Sequence, residues 1–126
     1  MKIIVGGMIA ALLQSPAAPK KGGNPEAAKI KNPVAASADS TAAGKRVYTR
    51  MCSRCHGPEG KGDGTAATAP VPDLTDAKWD YGGSDGEIFA VVHDGVSADM
   101  DGYAARLSDT DIWNVVNYVR SVAAKP

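Results

Sequence analysis

Five consecutive residues, Cys52-Ser53-Arg54-Cys55-His56, limit what this chain can be more than anything else in it. Two thiols three positions apart on a helical turn leave from neighbouring points of one face, and the next residue brings an imidazole to the same place. Three ordinary uses of such a cluster fit poorly. A redox dithiol requires a βαβ setting, and no stretch of the sequence shows convincing strand alternation. A zinc site built from Cys52, Cys55, His56 and His93 would need tetrahedral ligation by the adjacent pair Cys55-His56, which is awkward. A disulfide across only two intervening residues would be strained. The rest of the chain is poor in alternatives: it has two cysteines, four methionines and one histidine besides His56, namely His93.

The 126 residues have room for one small domain. Met1-Lys2 makes a short positive end, Ile3 to Leu13 an apolar run, and Gln14 to Ala18 a small-residue stretch with Ser15-Pro16-Ala17 as a cleavage-like site. That pattern reads as an export signal over residues 1–18. The apolar run is short for a membrane span, which takes about 20 residues. Residues 19–40 carry Pro, Gly, Ala and Lys without apolar periodicity and are expected to be a flexible linker. The folded domain is expected over residues 41–126.

Within it, Gly44, Val47, Tyr48 and Met51 fall at helical spacing before the cysteines, which predicts a first helix of about three turns. Residues 57–73 are a Gly/Pro/Ala-rich loop. Ser84-Asp85-Gly86-Glu87 has the form of a capping box, opening a helix with Ile88, Val91 and Val92 on one face and Gly95 to close it. Val96 to Leu107 reads as loop. Ser108-Asp109-Thr110-Asp111 is a second cap, and behind it Ile112, Val115, Val116, Val119 and Val122 mark a last amphipathic helix. The fold class expected is all-α, with short helices and long loops. A domain of about 85 residues with so few large side chains is short of core and usually needs a staple.

Cys-x-x-Cys followed by His is the pattern that attaches a c-type haem. Each thiol adds to one vinyl group, giving two thioethers, and the imidazole of His56 then lies under the iron. An apolar disc tied to the chain at three points would supply the missing core. The second imidazole nitrogen is expected to donate to a backbone carbonyl, with Pro72 in Pro72-Asp73-Leu74 as the candidate and Pro70 as the alternative. The sixth ligand comes from Met51, Met100 or His93, or the position is open. Met51 adjoins Cys52 and is too close to reach the far haem face. Met100 lies in a polar loop, SADMDGY, able to wrap over that face. His93, at the end of a capped helix, reads as a helix-terminal histidine. A thioether on iron favours the ferrous state, raises the potential and fills the position that oxygen or peroxide would take. That points to electron transfer rather than catalysis.

On these residues the sequence resembles the class I, mitochondrial-like cytochromes c, close to the small bacterial single-haem domains, over roughly residues 42–124. Gly44 and Tyr48 stand at the family's spacing ahead of the motif, and Tyr118-Val119 match the aromatic-aliphatic pair of its last helix. Pro72 and Leu74 match its Pro-x-Leu, and Met100 its distal methionine. Leu107-Ser108-Asp109 through Trp113 to Ser121 is typical of its tail. Asp101 stands where a Pro usually follows the ligand Met. The resemblance implies a cytochrome c fold whose first and last helices cross, one covalent haem c with iron between His56 and Met100, and a non-enzymatic carrier of single electrons. Trp79 and Tyr103 are expected to reach a propionate or pack against the ring, with plain core packing the alternative for Trp79; Trp113 is expected to be core, and Arg106 a solvated surface residue, with a propionate contact as its alternative.

From Thr41 onward nine basic residues face twelve acidic ones, which excludes a nucleic-acid surface. Lys45, Arg46, Arg50, Arg54 and Lys61 cluster around the motif and the acids dominate after it, an asymmetry that would orient docking. The partners expected are redox proteins. The chain is either a monomeric shuttle in the periplasm or an electron-accepting module of a dehydrogenase or oxidase complex, touching a membrane only through an uncleaved leader. The alternative from another class is a c-haem peroxidase or gas sensor with a labile sixth ligand; no obvious acid–base pair in the sequence flanks such a site.

Overall fold

Four of the five helices among the described residues begin where a side chain caps them. The computed structural model describes residues 18–125, so the leader expected over residues 1–18 falls outside them except for Ala18. A single turn, α1 (Pro25–Ala28), starts behind Asn24, whose side chain accepts from Glu26 N. The long helix α2 (Ala38–Met51) starts behind Ser37 and runs about four turns, one more than expected. A short α3 (Ser53–His56) carries the second cysteine and the histidine. Helix α4 (Asp85–Asp94) opens on the Ser84/Glu87 capping box and ends at Gly95, φ 75°, a left-handed conformation that favours glycine. Helix α5 (Asp109–Val122) opens on the Ser108/Asp111 box.

The expected last loop contains a small departure. Strands β1 (Gly95–Ser97) and β2 (Met100–Asp101) pair antiparallel in a two-stranded hairpin. With three and two residues, they are too short to leave an alternating pattern in a sequence. The fold is otherwise helical, as the cytochrome c expectation required.

Helices α2 and α5 cross and form the main packing contact; α4 rests on α5, and α1 on α4. The crossing is set by Gly44. A Cβ there would overlap the Asn114 carbonyl oxygen and stand 3.0 Å from the Tyr118 Cβ, so only glycine lets the two backbones approach this closely. Tyr48 and Tyr118 pack at the crossing with ring centroids 5.1 Å apart. The core continues through Val47, Val92, Leu107, Ile112, Val115 and Val119. Ile88, Trp113 and Val116 form a second cluster beside it, where Trp113 stacks on Phe89 at 4.0 Å. Trp113 is thus a core residue.

The segment expected as a flexible linker is instead seated on the domain. Ala27 is fully buried. Asn117 on α5, itself buried, accepts from Asn32 Nδ2 at 2.8 Å and donates to the carbonyls of Val34 and Ala35. Composition suggested disorder because the segment has almost no apolar surface to bury; polar bonds and close backbone contact hold it. The folded part therefore begins well before residue 41.

Candidate functional site

The polar end of the motif is fixed by backbone bonds. Cys55 N and His56 N donate to Cys52 O, at 3.2 and 2.9 Å, which winds the pentapeptide into a turn and places both thiols and the imidazole on one side. Gly62 N then bonds His56 O, Gly64 N bonds Cys55 O, and Ala66 N bonds Arg54 O, folding the glycine-rich loop back along the motif. Tyr48 anchors the start of that loop: its hydroxyl donates to Gly57 O at 2.6 Å in a buried position.

These residues border a cavity of about 500 Å³, within the range of roughly 300–1,000 Å³ usual for cofactor sites. Cys52, Cys55 and His56 form one part of its wall. The apolar faces of α4 and α5 supply Ile88, Val92, Val115 and Val119. The β1–β2 hairpin brings Met100 and Asp101. Pro72, Trp79 and Tyr103 line it as well, so Cys52, Cys55, His56, Pro72, Trp79, Met100 and Tyr103 all border this one space.

Their individual contacts differ from the expectations in instructive ways. The His56 Nδ1 is buried without a hydrogen-bond partner, so the bond to Pro72, or to Pro70, is not formed here. The stretch holding these prolines is tied elsewhere: Leu74 N bonds Gly60 O at 2.6 Å, and a Cβ on Gly62 would stand 3.2 Å from the Pro72 carbonyl oxygen. Tyr103 spends its hydroxyl on Met51 O at 3.0 Å. The Arg106 guanidinium, expected to be solvated, is exposed but lies over the Tyr103 ring at 4.2 Å and also borders the cavity. Sequence reasoning undervalued it; the signal was the Tyr103–Arg106 spacing, closed by Arg106 N donating to Tyr103 O.

His93 stays away from the cavity. Its ring stacks on Phe89 with centroids 5.4 Å apart, and Nδ1 lies 2.7 Å from Asp94 Oδ1. The helix-terminal reading of His93 describes its contacts.

The donor set fits a covalent haem. Burial holds the His56 pKa below the ordinary histidine value, so the imidazole is neutral and keeps a lone pair for a metal. An unpaired buried ring nitrogen costs about 1–3 kcal/mol, a cost that the protein carries at this one side chain among the described residues. Burial, and then the neighbouring Cys55, push the Cys52 thiol up to about 11, so it waits as a protonated thiol. Both cysteines are free rather than paired. No group of three or more His, Cys, Asp and Glu side chains among the described residues is arranged to hold a bare metal ion.

A family described as cytochrome C oxidase, cbb3-type, subunit III matches residues 39–119. A cbb3-type cytochrome c oxidase subunit CcoP of Azospirillum sp. (strain B510) is 34% identical over 93 residues, covering 72% of this chain and 31% of its own length. The chain thus spans about a third of that curated relative. Among solved structures, cytochrome cL of Hyphomicrobium denitrificans superposes with a TM-score of 0.62 at 25% identity, over 85% of this chain and 64% of the other. Cytochrome c6 of the diatom Phaeodactylum tricornutum gives 0.55 at 29% identity, over 66% of this chain and 93% of the other.

Proposed function

Because the chain belongs to the family of cytochrome c oxidase, cbb3-type, subunit III, a family of c-type cytochrome domains, we propose that Cys52 and Cys55 hold its haem c and that His56 and Met100 ligate the iron. The domain is a single-haem electron carrier of this class, and the haem supplies a one-electron couple when bound. The observation that carries the site assignment is the gathering of two free thiols, a neutral unpaired imidazole and a thioether on one largely apolar cavity.

Each residue then has a task that its surroundings allow. The turn closed on Cys52 O sets both thiols for addition to the ring, and the neutral His56 offers its nitrogen without first losing a proton. Met100 is held by the hairpin rather than by a proline after it: Gly95 pairs with Asp101, and Ser97 with Met100. Arg106 brings a cation to the cavity lining that would pair with a propionate, and the Tyr103 ring beneath it is held by the bond from its hydroxyl to Met51 O. With the Met100 thioether on the iron, small ligands would be kept off it, which suits electron transfer rather than catalysis.

The partners are redox proteins of an oxidase complex on the periplasmic side, a reading supported by the relatives, which are subunits of such oxidases. Lys45, Arg46, Arg50, Arg54 and Lys61 are all exposed near the motif and would steer an acidic partner to it. A peroxidase or gas-sensing role finds no support among the relatives.

The test is a visible spectrum of the chain expressed with a periplasmic haem-attachment system. Denatured protein that keeps the haem spectrum, with a far-red charge-transfer band in the native oxidised form, is the expected result. Loss of the haem on denaturation overturns the attachment, and covalent haem without the band overturns the assignment of Met100.

A further inference from the structure

The segment ahead of α2 touches the haem cavity indirectly but at several points. Gly22 N donates to Asp80 O at 2.7 Å. Asn24 N donates to Glu87 Oε2 at 2.8 Å, while the other oxygen of that carboxylate takes the Ser84 hydroxyl at 2.6 Å. Glu87 is buried, so its charge is held by the α4 cap on one side and by this segment on the other. Further along, α1 lies directly on α4. A Cβ on Gly86 would overlap the Ala27 carbonyl oxygen and come within 2.7 Å of Ile30 O, so the glycine makes the seat. The segment finishes at Asn117, whose amide nitrogen bonds Val34 O, Ala35 O and Ser40 Oγ and whose oxygen accepts from Asn32.

What lies beneath is a cavity wall. Lys78 to Gly82 border the haem space, and they form an irregular stretch between Leu74 and α4 with one internal backbone bond, Gly82 N to Trp79 O. Trp79 packs on the Ile88–Trp113–Val116 cluster, and so does Val34 from the segment outside. Arg120 holds the next residue, donating to Gly83 O. The loop is thus tied from outside at Asp80, and Val34 packs on the same apolar cluster as Trp79.

We infer that residues 22–35 are a positioning strap for the haem site: they hold the 78–82 wall closed over the ring, with Glu87 and Asn117 as its two anchors. The inference rests on the haem reading of the cavity given above. Its residues do not line the cavity; they act through the wall. Releasing the strap would let that wall open, admitting water and small ligands to the cavity.

Two variants of the full chain test this away from the haem residues. Asn32→Ala removes the bond to Asn117 and the one that Asn32 Oδ1 accepts from Val34 N, and leaves α4 untouched. Gly86→Ala puts a methyl group where the strap backbone lies, while suiting the helix better. Haem retained after denaturation is checked first in each. The expected result for Asn32→Ala is that amide exchange rises at least about tenfold, since two side-chain hydrogen bonds are lost, in residues 78–83 as well as in residues 18–36, and for Gly86→Ala that it rises in the same residues. Imidazole then binds the oxidised iron faster than in the wild type. If exchange rises only in residues 18–36 and imidazole entry is unchanged, the strap is a passive cover and the inference fails. Should Gly86→Ala not fold, the milder Asn32→Ala decides alone. Absence of covalent haem from wild type and variants alike would strike the cofactor reading instead, and exchange in residues 78–83 would still judge the strap.

Discussion

Gly44 of α2 lies directly against the backbone carbonyl of Asn114 in α5, with no room for a methyl group between them. The two helices that form the main packing contact are therefore spaced by one missing side chain. Gly44→Ala would gain helix propensity, roughly 1 kcal/mol, and lose more by forcing the crossing apart. Overpacking of this kind costs about 1–3 kcal/mol, and here the obstacle is backbone rather than a side chain that can turn away. The expected outcome is a net loss of stability, read as a lower midpoint in thermal unfolding.

Met100 and His93 separate cleanly as distal ligands. Met100→Ala should abolish the far-red band, open the oxidised iron to cyanide or imidazole, and lower the potential by on the order of 0.1 V. His93→Ala should leave all three unchanged, since that ring is engaged with Phe89 and Asp94. The reverse pattern would move the ligand to His93.

Tyr48 secures the loop that follows the motif. Tyr48→Phe keeps the ring contact with Tyr118 and removes the buried donor to Gly57 O. That carbonyl keeps a long bond from Gly60 N at 3.3 Å, so the loss should be about 1–2 kcal/mol. Chemical denaturation measures it, with no change expected in haem content.

Glu87 makes the fold acid-sensitive. Burial opposes its ionisation, but hydrogen bonds from Ser84 and from Asn24 outweigh that, and its pKa falls below the ordinary 4.5. A depressed carboxylate stabilises the fold at neutral pH and loses that contribution as pH falls from the unfolded value through the lower folded one. Glu87→Gln should therefore be less stable than wild type at pH 7. The gap should narrow below about pH 4.5, in urea unfolding followed as a function of pH.

Much of the site was legible because it is written in local chemistry. The pentapeptide, the two capping boxes at Ser84 and Ser108, and the apolar face of α5 are each short-range patterns, and each is found where the sequence places it. Gly44 and Tyr118 were readable as a crossing through family spacing. What escaped was non-local. Asn117 sits mid-helix among valines, and nothing in its neighbours says that its amide meets Val34 and Ala35 more than eighty positions away. The strap looked disordered because composition counts apolar surface and does not see glycines such as Gly86 that let backbone lie on backbone. The hairpin that carries Met100 was too brief for any periodicity, and the unmade bond at His56 depends on where Pro70 and Pro72, fourteen and sixteen residues away, come to rest.

The Gly44–Asn114 crossing also dictates how this chain must fold. Its two partners stand some seventy positions apart, and bringing ends of such a loop together costs on the order of 4 kcal/mol of entropy before any contact is made. Topologies dominated by distant pairings are slow to reach. The thiols at 52 and 55 sit inside that loop, close to one end. A ring fastened to them would give the open chain an apolar surface to condense on, and attachment before closure would offset part of that cost.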